Sequence, residues 1–343
     1  MARGRGLNRR YGDRRRGRTR AAGVLAAGLW SAFAALTPQM AAARPQALPP
    51  RPSQISAALP PQSRDAFLEV SVYALDPSDA AGPSLSVFTP EYGRATGAAV
   101  IIAPGGAYLG QAANLEGRQV ANWFASRGVT AFVLRYRVLP DHDLADAADD
   151  GERAVRFVRA HAADLGVDPG RIGLMGFSAG GHLATMTVER ADAGRPQAED
   201  PVERVSSRPD YLVLGYSAHY VTRLGADGRS LYCGVVTSVF GRDCVSEDQL
   251  PYQPGEAFLA AAPPVFLFHT ANDELVPAAW AVELYDHLLK AGRDAELHVF
   301  ARGPHGVGLG GRDPALSQWP ALLEAWLRAR GQLETPATGG SDQ

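Results

Sequence analysis

The chain is poor in the residues from which proteins build redox and zinc sites. Its 343 residues include two cysteines, Cys233 and Cys244, and no Cys/His spacing suited to zinc. It also has one lysine, no glycine-rich phosphate loop and no internal repeat. The sequence therefore predicts no metal and no organic cofactor. In an oxidising compartment the two cysteines, in a Gly- and Ser-containing loop, could form a disulfide; two separate buried thiols are the alternative.

The start of the chain has the composition of a bacterial secretory signal peptide. Residues 1–20 contain nine arginines and one acid, residues 21–36 are uncharged and mostly apolar, and residues 41–43 are alanines suited to cleavage. An uncleaved anchor is the alternative, but the apolar run is short for a span of about 20 residues. No cysteine follows that run, which disfavours a lipoprotein, and Arg9-Arg10 leaves the choice between general and twin-arginine export open.

Removal of residues 1–43 would leave an acidic protein. That segment carries nine of the 34 basic residues and one of the 36 acidic residues, so the remainder has a net charge of about −10. An acidic surface argues against nucleic acid, or an anionic membrane after cleavage, as a partner. We interpret residues 44–64 as a proline-rich linker, 65–331 as one catalytic domain and 332–343 as a polar tail, with the oligomeric state left open.

Alternating strand and helix patterns predict an α/β protein with a mostly parallel sheet and helices on both faces. The first two predicted strands precede any helix pattern and should form an antiparallel edge. Helices are predicted at Asp143–Asp164, Pro277–Ala291 and Ala315–Arg330. Strands are predicted at Leu68–Tyr73, Ser84–Thr89, Ala98–Ala103, Thr130–Tyr136, Arg171–Met175, Tyr211–Gly215, Val265–Thr270 and Glu296–Phe300.

The most informative motif joins a predicted strand to a predicted helix. Residues 171–182 read RIGLMGFSAGGH, in which Gly176, Ser178 and Gly180 form a Gly-x-Ser-x-Gly pattern. Glycines let the strand and helix come close, so that Ser178 protrudes from a sharp turn where a histidine could take its proton. The N–H of Ala179 would point at a developing oxyanion. A glycine-rich turn without chemistry is the alternative.

An acid and a base follow in the order Ser, Asp, His that an α/β-hydrolase requires. Asp273 follows a predicted strand, with Glu274 as the alternative acid, and His305 lies in a glycine-rich loop after the next strand. Sites in open α/β sheets gather at the carboxyl ends of strands. We therefore predict Ser178 as nucleophile, His305 as base and Asp273 as the supporting acid.

A second glycine-rich loop follows the strand Ala98–Ala103. Gly105 and Gly106 are predicted to supply the remaining oxyanion N–H groups, because glycine lets the backbone approach a substrate oxygen. An ordinary Pro-Gly-Gly turn is the alternative.

Polar aromatic residues near these loops are predicted to bind substrate. We expect Tyr108 and His219, with Tyr216, to form a pocket entrance, and the long region 190–253 to form a cap or a surface loop. His182 lies on a helix that leaves the site and is interpreted as structural. The acids at 141–150 could suggest a metal, but acids near a helix N-terminus complement its dipole and face water.

These motifs together resemble the secreted bacterial α/β-hydrolase esterases of the acetyl-xylan-esterase and feruloyl-esterase type, related to the hormone-sensitive-lipase and kynurenine-formamidase groups. The resemblance covers about residues 65–330 and is carried by segments 103–108, 131–137, 166–182, 268–273 and 303–308. It implies the same triad and the oxyanion donors Gly105, Gly106 and Ala179. The chain departs from the related lipases at 104–107, where Pro-Gly-Gly-Ala replaces His-Gly-Gly-Gly, and in lacking Tyr-Pro after the strand Tyr211–Gly215.

The function that this resemblance implies is hydrolysis of acetyl or other short acyl esters, on carbohydrate. The alternatives are a general small-molecule carboxylesterase and a formamidase-like amidase. A catalytically silent hydrolase-fold binding protein would have lost a triad residue, and none is lost here.

The signal-peptide interpretation predicts a mature N-terminus near Arg44, set by the alanines at 41–43. Intact-mass spectrometry of the periplasmic or extracellular protein should find a chain shortened at that point. Full-length protein confined to the cytoplasm would contradict the interpretation.

Overall fold

The computed structural model describes residues 68–71, 82–241, 253–311 and 313–334. The chain divides into two units, Met1–Ala47 and Leu48–Gln343, and all of these residues belong to the second. The predicted signal peptide and linker, and residues 335–343 of the predicted tail, lie outside the described residues. Within them, no helix has the length and apolar character needed to cross a membrane.

Eight strands form one sheet in the order β1-β2-β4-β3-β5-β6-β7-β8. β2 pairs antiparallel with β1 and β4, and every other neighbouring pair is parallel. The predicted antiparallel edge and parallel remainder are confirmed. The strands are β1 (Leu68–Ser71), β2 (Ser84–Phe88), β3 (Ala99–Ala103), β4 (Thr130–Arg135), β5 (Ile172–Phe177), β6 (Tyr211–Gly215), β7 (Val265–Thr270) and β8 (Ala295–Phe300).

Helices cover both faces of this sheet. Alternate residues of β3 enter two apolar cores: Ile101 shares one with Leu183, and Ile102 shares the other with Phe124 and Trp319. The interior strands therefore read as continuous apolar runs. The helices are α1 (Gln119–Ala125), α2 (Leu144–Ala160), α3 (Ala179–Glu189), α4 (Leu231–Phe240), α5 (Glu256–Ala261), α6 (Ala278–Lys290) and α7 (Trp319–Ala329). Shorter helical turns are a π-helical turn (Ala113–Arg118) and two 3-10 turns (Pro201–Arg204 and Leu316–Gln318).

Acidic residues near the start of α2 have structural partners. The Asp143 side chain accepts the N–H groups of Ala145 and Asp146 and so caps the helix. Asp150, predicted to face water, is instead buried and pairs with Arg137 at 2.7 Å. Nowhere in the described part of the chain do three His, Cys, Asp or Glu residues form a group that could hold a metal ion.

The segment around Cys233, predicted to be a loop, forms helix α4. Ser230 caps it by accepting the N–H of Cys233, and the apolar run that follows favours helix despite Gly234. Cys233 is disulfide-bonded, whereas Cys244 lies outside the described residues.

Candidate active site

Ser178 occupies a sharp turn between β5 and α3. Its backbone has φ 50° and ψ −120°, a left-handed conformation that costs a side-chain-bearing residue about 1–3 kcal/mol. A Cβ on Gly176 would lie 2.2 Å from the Gly180 carbonyl oxygen, and one on Gly180 would lie 2.0 Å from the Ala103 oxygen. Both glycines are therefore required, because the backbones of β3, β5 and α3 leave no room for a side chain.

His305 connects Ser178 to Asp273. Its Nε2 lies 2.8 Å from Ser178 Oγ, and its Nδ1 lies 2.7 Å from Asp273 Oδ2. An ionised carboxylate can only accept, so His305 Nδ1–H donates to Asp273 and Nε2 is left to accept the Ser178 hydroxyl. The structure thus brings together, in one hydrogen-bonded chain, three residues that are up to 127 positions apart in sequence.

Three groups donate hydrogen bonds to the Asp273 carboxylate, and His269 lies close beside it. Oδ1 accepts the N–H groups of Leu275 and Val276, both at 2.9 Å, and Oδ2 accepts from His305. His269 Nε2 lies 3.3 Å from Oδ2 and also 3.0 Å from the Val276 oxygen. Burial raises the pKa of Asp273, but the neighbouring His269, His305 and backbone N–H groups outweigh it and hold that pKa below its usual range.

Sequence reasoning missed His269 as a contact of the acid. Its only signal was its position at the end of a predicted strand, four residues before Asp273. Glu274, the alternative acid, is exposed, so its side chain lies apart from this hydrogen-bonded chain.

The loop that carries His305 is held from two sides. Asn272 Oδ1 accepts the N–H of Gly303 at 2.8 Å, just before His305. After it, the N–H of Gly308 donates to the Tyr216 hydroxyl at 3.1 Å, and the Tyr216 ring packs edge-on against the His305 ring with centroids 5.1 Å apart. The imidazole therefore has a fixed position.

In the loop after β3, the Gly105 N–H is not free to bind an oxyanion as predicted. Its N–H donates to Glu116 Oε2 at 2.6 Å, so it is not available to a substrate oxygen in this structure. The N–H groups of Gly106 and Ala179, by contrast, donate to no protein group among the described residues. A Cβ on Gly105 would lie 2.8 Å from Ser178 Cβ, which places the loop directly beside the serine.

Glu116 is a second residue that sequence reasoning missed. It lies on the π-helical turn, is 3% exposed, and its Oε1 accepts the Tyr216 hydroxyl at 2.8 Å. Burial raises the pKa of Glu116, partly offset by the hydrogen bonds from Tyr216 and Gly105 and by the nearby His305. Nothing in the local sequence distinguishes this glutamate from a surface residue of a helix.

The structure does not place the predicted aromatic residues at a pocket entrance. Tyr108 is buried, and its hydroxyl lies 2.7 Å from Nδ1 of the equally buried His182. His219 is also buried; its Nε2 donates to the Trp280 carbonyl, and burial lowers its pKa to about 3. Tyr216 is buried beside His305. The hydroxyls of Tyr108 and Tyr216 and one ring nitrogen of His219 have hydrogen-bond partners inside the protein, which allows these side chains to be buried.

The residues from 100 to 309 match the family model described as the alpha/beta hydrolase fold. The chain belongs to the α/β-hydrolase family. This α/β-hydrolase is 28% identical, over 261 residues and 75% of its own length, to an acetylxylan esterase of Xylanibacter ruminicola. It spans 50% of that relative's length.

Solved structures share the whole fold of this α/β-hydrolase. The acetyl ester-xyloside bifunctional hydrolase of Caldicellulosiruptor lactoaceticus superposes with a TM-score of 0.67 at 31% identity, covering 77% of this chain and 97% of that one. The butyrate-bound esterase 2 of Thermogutta terrifontis gives 0.59 at 26% identity, covering 80% and 97%.

The low pKa of Asp273 predicts how stability depends on pH. A carboxyl whose folded pKa is depressed adds stability above its unfolded pKa of about 4, and this contribution is lost as pH falls toward the folded value. Asp273→Asn should therefore be less stable than wild type at pH 7, and the difference should shrink at pH 3. Urea unfolding at pH 7 and at pH 3 measures this difference in the free energy of unfolding.

Glu274→Gln is the matched control, because it removes a neighbouring but exposed carboxylate. It should change stability little at either pH. A pH-independent difference between Asp273→Asn and wild type would contradict the prediction.

Proposed function

We propose that this α/β-hydrolase is an exported serine esterase that removes acetyl and other short acyl groups from carbohydrate esters. The observation that carries the proposal is the continuous hydrogen-bonded chain from Ser178 Oγ through His305 to Asp273. It has the connectivity that activates a serine hydroxyl, which is a weak nucleophile by itself.

In the proposed mechanism Ser178 Oγ attacks the ester carbonyl while its proton passes to His305 Nε2. Asp273 holds the imidazole in the required tautomer and stabilises the imidazolium. Collapse of the tetrahedral intermediate returns the proton to the leaving alcohol and leaves an acyl group on Ser178. Water, deprotonated by His305, then releases the carboxylic acid and restores the serine.

The proposed oxyanion donors are the backbone N–H groups of Gly106 and Ala179. Gly106 follows Gly105, which is packed against Ser178, and Ala179 follows Ser178 itself; neither N–H donates to another protein group in the described chain. Ala179 also opens helix α3, whose N-terminus favours negative charge. Gly105 is reassigned from donor to support because its N–H is bound to Glu116.

The proposed substrate class follows from the named similarities. The relative from Xylanibacter ruminicola is an acetylxylan esterase, and one solved neighbour is an acetyl ester-xyloside hydrolase. Another was solved with butyrate bound. Export is proposed on the composition of residues 1–43 alone.

Loss of the nucleophile should abolish turnover without unfolding the protein. Ser178→Ala and His305→Ala should each lower kcat on p-nitrophenyl acetate by about 10³-fold or more, because the triad residues act as a unit. Circular dichroism should show an unchanged fold. A Ser178→Ala protein with wild-type turnover would refute the mechanism.

Acyl-chain preference should favour short chains in a graded way. We expect kcat/KM to fall from p-nitrophenyl acetate through butyrate to octanoate. The fall should be gradual, because one methylene changes the free energy of transition-state binding by only about 1–3 kcal/mol. Acetylated xylan should release acetate. A rise in kcat/KM toward octanoate would contradict the proposed substrate class, and activity on p-nitrophenyl esters without acetate release from xylan would favour a general carboxylesterase.

A further inference from the structure

The Glu116 carboxylate is hydrogen-bonded directly to one loop beside Ser178 and, through Tyr216, to the other. Oε2 accepts the Gly105 N–H of the loop after β3, and Oε1 accepts the hydroxyl of Tyr216, which in turn receives the N–H of Gly308. The carboxylate therefore joins the loop that holds the free Gly106 N–H to the loop that holds His305. No side chain of the triad makes this connection.

The direction of these hydrogen bonds is fixed by chemistry. A backbone N–H can only donate, so Gly105 donates to Glu116 and Gly308 donates to Tyr216. Since the Tyr216 oxygen accepts from Gly308, its own proton is directed at Glu116 Oε1. Every partner thus donates toward the carboxylate, an arrangement that stabilises its ionised form against burial.

The geometry leaves little freedom around this carboxylate. A Cβ on Gly105 would lie 2.8 Å from Glu116 Oε2 and 2.8 Å from Ser178 Cβ, so the glycine is enclosed between the two residues. A Cβ on Gly306, the residue after His305, would lie 3.9 Å from Glu116 Oε1. A shift of the carboxylate would displace both the loop before Gly106 and the loop after His305.

We propose that Glu116 is a positioning residue of the esterase reaction, whose carboxyl group holds the oxyanion loop through Gly105 and the His305 loop through Tyr216. The inference rests on the proposed function for its catalytic consequence. It assigns Glu116 no contact with substrate: the residue acts on the placement of the Gly106 N–H and of the His305 ring. Displacements of about 1 Å in such groups can cost about 100-fold in rate.

The test compares Glu116→Gln with wild type. Glutamine has the same shape but offers one acceptor oxygen, so its amide must face one of the two donors and one anchor is lost. We expect kcat on p-nitrophenyl acetate to fall about 10- to 100-fold while KM changes less than about 3-fold. Affinity for a boronic acid, which forms a tetrahedral adduct with serine, should fall by the same factor as kcat/KM.

Glu152→Gln is the matched control. Glu152 is another largely buried carboxyl, on α2. Burial raises its pKa to about 7, although it forms an ion pair with Arg190 at 2.7 Å, which acts in the opposite direction. Its substitution should leave kcat within about twofold of wild type. Tyr216→Phe removes the hydrogen bonds that the Tyr216 hydroxyl makes with Glu116 and Gly308 but keeps the one from Gly105 to Glu116, so it should give a smaller loss of kcat than Glu116→Gln.

Hydrogen exchange of the full chain tests the anchoring without any substrate. Peptides covering 104–112 and 303–311 should both exchange faster in Glu116→Gln, only 303–311 in Tyr216→Phe, and neither in Glu152→Gln. Unchanged exchange in both loops of Glu116→Gln overturns the inference. So does a kcat within twofold of wild type, or a loss of kcat fully explained by a smaller fraction of titratable Ser178.

The two proposals fail in different ways. A wild-type protein that hydrolyses none of the esters refutes the proposed function, and the exchange measurement still decides whether Glu116 anchors the loops. An active wild type with an unaffected Glu116→Gln variant refutes the inference alone.

Discussion

Close backbone packing around Ser178 is the constraint on which the rest of the site depends. Three segments meet there without room for a Cβ on Gly176 or Gly180. The strained serine backbone is in turn held at both ends: its N–H donates to the Gly215 carbonyl, and its own carbonyl accepts from Gly181, His182 and Ala218. The turn is thereby tied to the end of β6, and this offsets the cost of the left-handed conformation.

The same packing decides which backbone groups remain free. The loop after β3 lies against the start of α3, and its first N–H is bound to Glu116 while that of Gly106 is not. A buried carboxylate therefore binds this loop although it is not part of the hydrogen-bonded chain of Ser178, His305 and Asp273. Such a group is stable only because all its partners donate to it.

The sheet, the serine turn and the identity of its two partners could be predicted because their signals are local. Apolar runs, helical periodicity and the glycines at 176 and 180 each depend on neighbours within a few positions. The chain order Ser178, Asp273, His305 then follows from the fold. The signal for the start of α2 is equally local, because Asp143 caps the helix that begins at the next residue.

The errors concern contacts between distant positions. Tyr216 and Glu116 are 100 residues apart, and Tyr108 and His182 are 74 apart, so their contacts depend on how β3, β5 and β6 are placed in the sheet. Composition suggested polar aromatic residues at an entrance; burial with internal partners overrode that expectation. Asp150 and His269 have nearer partners, Arg137 13 positions away and Asp273 four positions away; they were misjudged or missed because a local pattern does not show how the loop beside a strand folds back.

The position of β8 at the edge of the sheet affects how easily the site opens. β5, which precedes the serine, is an interior strand and wholly buried, whereas β8, which leads to His305, is an edge strand and only partly buried. Edge elements open locally at lower free energy than the centre of a sheet. Fraying of this edge would separate His305 from Ser178 while the two apolar cores stay closed, so their hydrogen bond can be lost before the fold is.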